Sequence, residues 1–207
     1  MRRFLILSHR VPVAGEFTLN DLAGGAGRMD EIARAVSTAF TLSNDLRRDT
    51  EVTVLFSSEP PPASRRIVVH GARVRYLNPD ERSTAALLKN ALVRSVAARG
   101  TIESSPGLVV GPVDPRVALA EFLRLPGTVW LNEHGWPLDG YPVPPGDFGA
   151  VVSDPYDPTE AETEILRSSG VPRVTVGPRP LRTSQVIDAV HNDLDRGVTG
   201  GRPPTAG

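Results

Sequence analysis

Short apolar runs and helical patterns alternate along almost the whole chain. Phe4-Leu5-Ile6-Leu7 predicts a first strand, and between Gly27 and Ser43 the residues Met29, Ile32, Ala33, Val36, Ala39 and Phe40 recur at helical spacing. Glu51 to Phe56 is apolar and rich in β-branched residues, a second strand closed by Pro60-Pro61-Pro62. Ile67 to Gly71 followed by Arg73 to Tyr76 reads as a hairpin turning at Gly71-Ala72, and a long helix is expected from about Pro79 to Arg99, stopped by Gly100. Ser104-Ser105-Pro106-Gly107 breaks the pattern. Beyond it lie a strand at Leu108 to Val110, a helix near Pro115 to Leu125, a strand at Thr128 to Leu131 and a buried strand at Phe148 to Val152. A helix at Thr159 to Ser169, a strand at Val174 to Val176 and a last helix from about Arg182 to Arg196 complete the series. This alternation predicts an α/β domain with a mostly parallel sheet flanked by helices. Residues 197–207 are rich in Gly and Pro and carry no core positions, which predicts a disordered tail.

Composition narrows the chemistry. No run of about 18 apolar residues occurs, which excludes a membrane-spanning helix. The start of the chain is too short and too soon polar for a secretory signal. The absence of cysteine rules out disulfides, cysteine nucleophiles and thiolate metal sites, and it fits a cytoplasmic protein. Four scattered histidines leave little material for a zinc site. Charge divides unevenly: residues 1–100 carry 15 basic and 10 acidic side chains, whereas residues 101–207 carry 8 and 14. Such an asymmetry points weakly to a partner, such as a nucleic acid, that meets the first half. Only Lys89 among the basic residues is lysine; GC-rich coding explains that bias more simply than phosphate recognition does.

Three stretches are candidates for a site. Leu22-Ala23-Gly24-Gly25-Ala26-Gly27-Arg28-Met29-Asp30 is a glycine-rich turn opening a helix, where free N–H groups form a ready anion site. Its glycine spacing is not that of a dinucleotide fingerprint, and a plain glycine loop explains it as well. Ser43-Asn44-Asp45-Leu46-Arg47-Arg48-Asp49 and Asn78-Pro79-Asp80-Glu81-Arg82 are charged clusters, read most simply as a solvated loop and a helix cap. Val174-Thr175-Val176-Gly177-Pro178-Arg179-Pro180-Leu181 breaks a strand into a rigid loop, the place where open α/β sheets bind ligands.

Taken together and in this order, these motifs resemble the archaeal-type tRNA pseudouridine N1-methyltransferases, a branch of the SPOUT methyltransferases. The matching stretches are Leu19-Asn20-Asp21-Leu22 with Gly24 to Asp30, Leu42-Ser43 with Asp45-Leu46-Arg47-Arg48-Asp49, Pro79-Asp80-Glu81-Arg82 with the following helix, and Leu181 through His191-Asn192 to Leu194-Asp195. The resemblance implies a single SPOUT-type α/β domain over residues 1–196, with an RNA-facing half at about 1–100. It places a deep trefoil knot in a donor-binding half at about 104–196, formed as the final helix threads back past Val174-Thr175-Val176.

It also implies S-adenosylmethionine as methyl donor, a homodimer, and RNA (tRNA first) rather than DNA as partner. The donor site maps onto Leu131, Ser153, Asp154, Val176, Gly177, Pro178, Arg179, Pro180, Leu181 and Val186. Asp30 is expected as the base that takes the N1 proton, with Arg28 orienting it or the uracil. Asn20, Arg47, Asp49, Asp80 and Arg82 are expected RNA contacts or scaffolding. The chain departs from archaeal relatives at Ser153 (Gly there), Arg179 (acidic), Val186 (Cys) and Arg182-Thr183-Ser184 (His-Ala-Asn). Those departures leave two alternatives: a SPOUT methyltransferase for another RNA such as rRNA, or a noncatalytic RNA-binding protein of the same fold.

Overall fold

The computed structural model describes residues 1–57, 64–143 and 146–197. Its elements in chain order are β1 (Arg2–Ser8), α1 (Met29–Phe40), β2 (Thr50–Phe56), β3 (Arg65–His70), α2 (Glu81–Val96), β4 (Ile102–Ser105), β5 (Leu108–Pro112), α3 (Pro115–Leu123), β6 (Thr128–Pro137), β7 (Phe148–Ser153), α4 (Glu160–Ser168), β8 (Arg173–Thr175) and α5 (Thr183–Arg196). The strands form one sheet in the order β4-β5-β3-β2-β1-β7-β6-β8, parallel from β2 to β8 and antiparallel along the edge made by β3, β5 and β4.

The apolar run of β1 is buried on both faces, as a central parallel strand must be. Alternate side chains separate into two cores. Phe4 and Ile6 join Val52, Val54 and Phe56 under α1, α2 and α5, while Leu5, Leu7 and Leu55 pack against Leu119 and Phe122 of α3 and Leu166 of α4. Helices thus cover both faces, and the carboxyl ends of β1, β7, β6 and β8 open on the same edge.

Helix starts follow local chemistry. The Asp80 side chain accepts from Ser83 N–H at the head of α2, Asp114 does the same for α3, and Thr159 closes a capping box with Glu162 at α4. Thr159→Ala is expected to cost about 1 kcal/mol and to lower the melting temperature by about 2–4 °C, read by thermal denaturation.

Two expected features are corrected. The segment Arg73 to Tyr76 is not a strand: β3 already pairs antiparallel with β2 on one side and β5 on the other. The chain therefore turns back at His70, whose carbonyl accepts from Arg73 and Val74 N–H. The hairpin instead lies at the supposed break, where β4 and β5 are joined at Pro106-Gly107, with Gly107 at φ +74°. Residues 198–207 of the expected tail lie outside the described residues. Gly197 ends α5 in the left-handed conformation usual for a C-cap glycine.

Candidate functional site

A cleft of about 500 Å³ lies at the carboxyl ends of β6, β7 and β8 and at the amino end of α1. Ligand sites of open α/β sheets sit in this position, and the volume suits a small cofactor. Leu131, Val152, Val174, Val176, Pro180, Leu181 and Val186 give it apolar walls; Arg28, Glu31, Asn132, Ser153, Arg179 and Arg182 give it a polar rim. Of the ten expected donor-site residues, eight line the cleft, while Gly177 and Pro178 do not. Between Leu131 and Trp136 strand β6 bows outward and returns, so that both residues pair with Val174 of β8. A side chain at Gly135 would place its Cβ 2.4–2.6 Å from the Val174 backbone, which restricts that crossing to glycine.

The wall formed by residues 153–158 is held from behind. Ser153 Oγ donates to the Tyr156 carbonyl at 2.5 Å, and Thr183 Oγ1 donates to the Ser153 carbonyl at 2.6 Å, joining α5 to the end of β7. The Asp154 carboxylate accepts from His9 N–H, from Tyr156 N–H and from the His9 ring (Nδ1, 2.9 Å). Both its oxygens are therefore occupied inside the protein, and Asp154 shapes the cleft rather than offering it a free carboxylate. The other His9 nitrogen, Nε2, bonds Glu162 Oε2 at 2.9 Å. Burial alone would lower the His9 pKa, but these two carboxylates raise it to about 9, so the ring is an imidazolium clamped between them. Sequence reasoning missed this clamp, because its partners lie 145 and 153 positions from His9 and nothing local marks them.

The glycine-rich turn is not a free anion site. Asp21 Oδ1 and Oδ2 accept from Gly24 and Gly25 N–H at 2.9 and 2.7 Å, and the Ala26 and Gly27 amides bond the Asp21 and Gly24 carbonyls. The four amides from Gly24 to Gly27 are thus consumed by the turn itself. Gly27 (φ +62°) has no room for a Cβ, which would lie 2.0 Å from the Arg10 carbonyl oxygen. Arg28 follows at φ +70°, an uncommon conformation for a non-glycine residue.

That geometry turns the Arg28 guanidinium onto α1. Its Nε and Nη2 donate to Asp30 Oδ1 and Oδ2, both at 3.0 Å, and Nη2 also donates to Glu31 Oε1 at 3.0 Å. Burial works to raise the Asp30 pKa, but Arg28 outweighs it and holds the carboxyl below its ordinary value. Arg34, one turn further along, links Glu31 (2.9 Å) to Glu81 of α2 (2.5 Å). Beside Glu81, Arg82 donates to the Leu19 carbonyl and to Asn20 Oδ1. Asn20, Asp80 and Arg82 thus lie along one charged seam leading from Arg28 and Asp30.

Arg47 and Asp49 are not brought to this seam. They sit at the amino end of β1, the opposite edge of the sheet from the cleft. There Arg47 holds Asp195 in two hydrogen bonds (3.1 and 2.6 Å), and Arg2 bridges Asp195 (2.7 Å) and Asp49 (3.6 Å). Arg47 and Arg2 lower the Asp195 pKa to about 2. Glu31, absent from the expected site, lines the cleft. Its spacing of three from both Arg28 and Arg34 was the available signal.

Comparison with known proteins identifies the family. A family described as "Putative SAM-dependent RNA methyltransferase" matches residues 1–198. The tRNA (pseudouridine(54)-N(1))-methyltransferase of Methanocella arvoryzae is 38% identical over 197 residues, 95% of this chain and 100% of that one. The enzyme of the same name from Haloarcula marismortui is 39% identical over 94% of this chain and 96% of its own. Among solved structures, Archaeoglobus fulgidus Nep1 bound to S-adenosylhomocysteine shares the fold, with a TM-score of 0.66, 14% identity and coverage of 94% of this chain and 97% of that one. A family match over almost the whole length, with relatives 38% and 39% identical over nearly all of both chains, places this chain in that family of SAM-dependent RNA methyltransferases.

Proposed function

We propose that the protein transfers a methyl group from S-adenosylmethionine to N1 of a pseudouridine in the T-loop of tRNA. The observation that carries this reading is end-to-end similarity to enzymes named for that reaction, with no part of the relative from Methanocella arvoryzae left uncovered. The cleft fits the donor: its apolar walls suit an adenine ring and its polar rim suits a methionine head group. Bound there, the donor supplies an electrophilic methyl carbon. Leu131, Ser153, Asp154, Val176 to Leu181 and Val186 build the pocket, Gly177 and Pro178 by fixing the loop rather than touching the ligand. Arg28 faces the cleft and holds the uracil or its phosphates, and Asp30 fixes Arg28 through two hydrogen bonds.

The proposal includes a single domain over residues 1–196, with residues 1–100 toward the RNA and 104–196 toward the donor. The seam of Asn20, Asp80 and Arg82 continues the site toward the RNA, and Arg47 and Asp49 serve as scaffold. It includes the trefoil knot, supported by the tight passage of β6 around Val174 and by α5 returning against α1. It also includes a homodimer in the cytoplasm, without DNA or membrane as partners. Among the described residues no helix is long and apolar enough to cross a membrane.

Calorimetric titration with S-adenosylmethionine and then S-adenosylhomocysteine tests the pocket. Micromolar binding of both is expected. A folded protein that binds neither at millimolar concentration overturns the reading.

A further inference from the structure

Two carboxylates stand side by side at the start of α1, and their surroundings differ. Both Asp30 oxygens are engaged by Arg28 in a bidentate pair. Glu31 is bound on one oxygen only: Arg28 Nη2 (3.0 Å) and Arg34 Nη1 (2.9 Å) donate to Oε1, and Arg182 Nη1 stands 3.8 Å from the same atom. Its other oxygen, Oε2, is buried and has no hydrogen-bond partner among the described residues. The Glu31 side chain is 4% exposed, yet the residue lines the cleft. A buried carboxyl oxygen without a partner is costly, and such an atom in a folded protein calls for an explanation. A ligand that brings an N–H group to it supplies one.

We infer that Glu31, rather than Asp30, accepts the N1 proton of the target pseudouridine. This rests on the methyl-transfer reading above. The electron pair on N1 forms the bond to the methyl carbon of the donor, and the carbon–sulfur bond breaks with its pair passing to sulfur. The N1 proton passes to Glu31 Oε2. The products are the N1-methylated base, S-adenosylhomocysteine and a carboxylic acid that returns its proton to water. Arg28 and Arg34 fix Glu31 through Oε1, so that Oε2 is the atom left for the substrate. Arg182, which stands 3.8 Å from Oε1, is itself 65% exposed. Asp30 is then a positioning residue acting through Arg28.

Glu31→Gln keeps the shape and an oxygen for the arginines but takes no proton. With tRNA bearing pseudouridine, it is expected to lower kcat by about 10²–10⁴-fold and leave the Kd for S-adenosylhomocysteine within about twofold. The deficit should shrink as the pH is raised and N1 ionises unaided, which a merely structural role does not produce. Glu31→Asp retains an acceptor and is expected to exceed the Gln variant by at least about tenfold, which keeps the test decisive if glutamine weakens the fold. The assignment is overturned if Glu31→Gln stays within tenfold of wild type, if its deficit is the same at every pH, or if donor affinity falls while kcat holds, which would make Oε2 the partner of the donor's ammonium group. Wild-type protein that methylates no pseudouridine at any pH refutes the underlying reading instead.

Discussion

Arg28→Ala is expected to lower methyl transfer by about 10²–10³-fold and the melting temperature by about 5–10 °C. Arg28 contributes three hydrogen bonds to two carboxylates that are themselves 7% and 3% exposed. Without it, Asp30 and Glu31 remain adjacent, buried and like-charged, with only Arg34 and the more distant Arg182 to compensate. Removing one partner of a buried pair costs about 3–5 kcal/mol; with Arg28 32% exposed, about 2–3 kcal/mol is the appropriate figure. Arg28→Lys keeps the charge but not the planar fork and should recover part of the stability and little of the rate. The comparison needs initial rates under saturating donor and a thermal melt of each variant. A fully active Arg28→Ala protein would remove Arg28 from the site.

His9→Ala is expected to destabilise the protein by about 3–5 kcal/mol, because it leaves Asp154 and Glu162 facing one another without the imidazolium between them. The donor Kd should rise as well, since Asp154 and Tyr156 lose the anchor that fixes one cleft wall. The wild-type protein carries the same interaction as a pH dependence. The folded-state pKa of His9 is raised from 6.5 to about 9, so its contribution is fully present below pH 6.5 and is lost as the pH rises through 9. At 1.36 kcal/mol per pKa unit this amounts to about 3 kcal/mol.

His191 acts in the opposite sense. Burial first, then the charges of Arg47 and Arg2, lower its pKa to about 4, and the neutral ring donates from Nε2 to the Ala39 carbonyl and accepts from Arg2 at Nδ1. Its contribution is present above pH 6.5 and is lost as the pH falls toward 4. Denaturant melts across pH should therefore show maximal stability near pH 6.5, and His9→Ala should flatten the alkaline side only. An unchanged alkaline limb in that variant would contradict the clamp.

Much of the fold was legible because its strands are short, apolar and separated by amphipathic helices. Phe4 to Leu7, Val52 to Phe56 and the Met29-to-Phe40 stripe all lie where periodicity placed them. Two kinds of information were not local. Strand pairing decides between the Gly71 and Gly107 turns, and Ile102–Ser105 is a strand only because Leu108 and Val110 present an edge to it. The site divides in the same way. The loop from Val174 to Leu181 and the Arg28–Asp30 pair announced themselves by composition and neighbourhood. The His9 clamp and the Arg47–Asp195 pair are contacts across 145 or more residues, visible only when the sheet brings β1, β7 and α5 together. Glu31 lay between these cases: its helical spacing was readable, but its vacant oxygen depends on three arginines arriving from two segments.

The most direct test is methyl transfer to defined RNA. Purified protein is incubated with S-adenosylmethionine and two tRNA transcripts, one with pseudouridine and one with uridine at the same T-loop position, and the nucleosides are resolved by mass spectrometry. The account predicts N1-methylpseudouridine from the first transcript and no methylated nucleoside from the second. Equal methylation of both, or none in either while the donor binds, contradicts it.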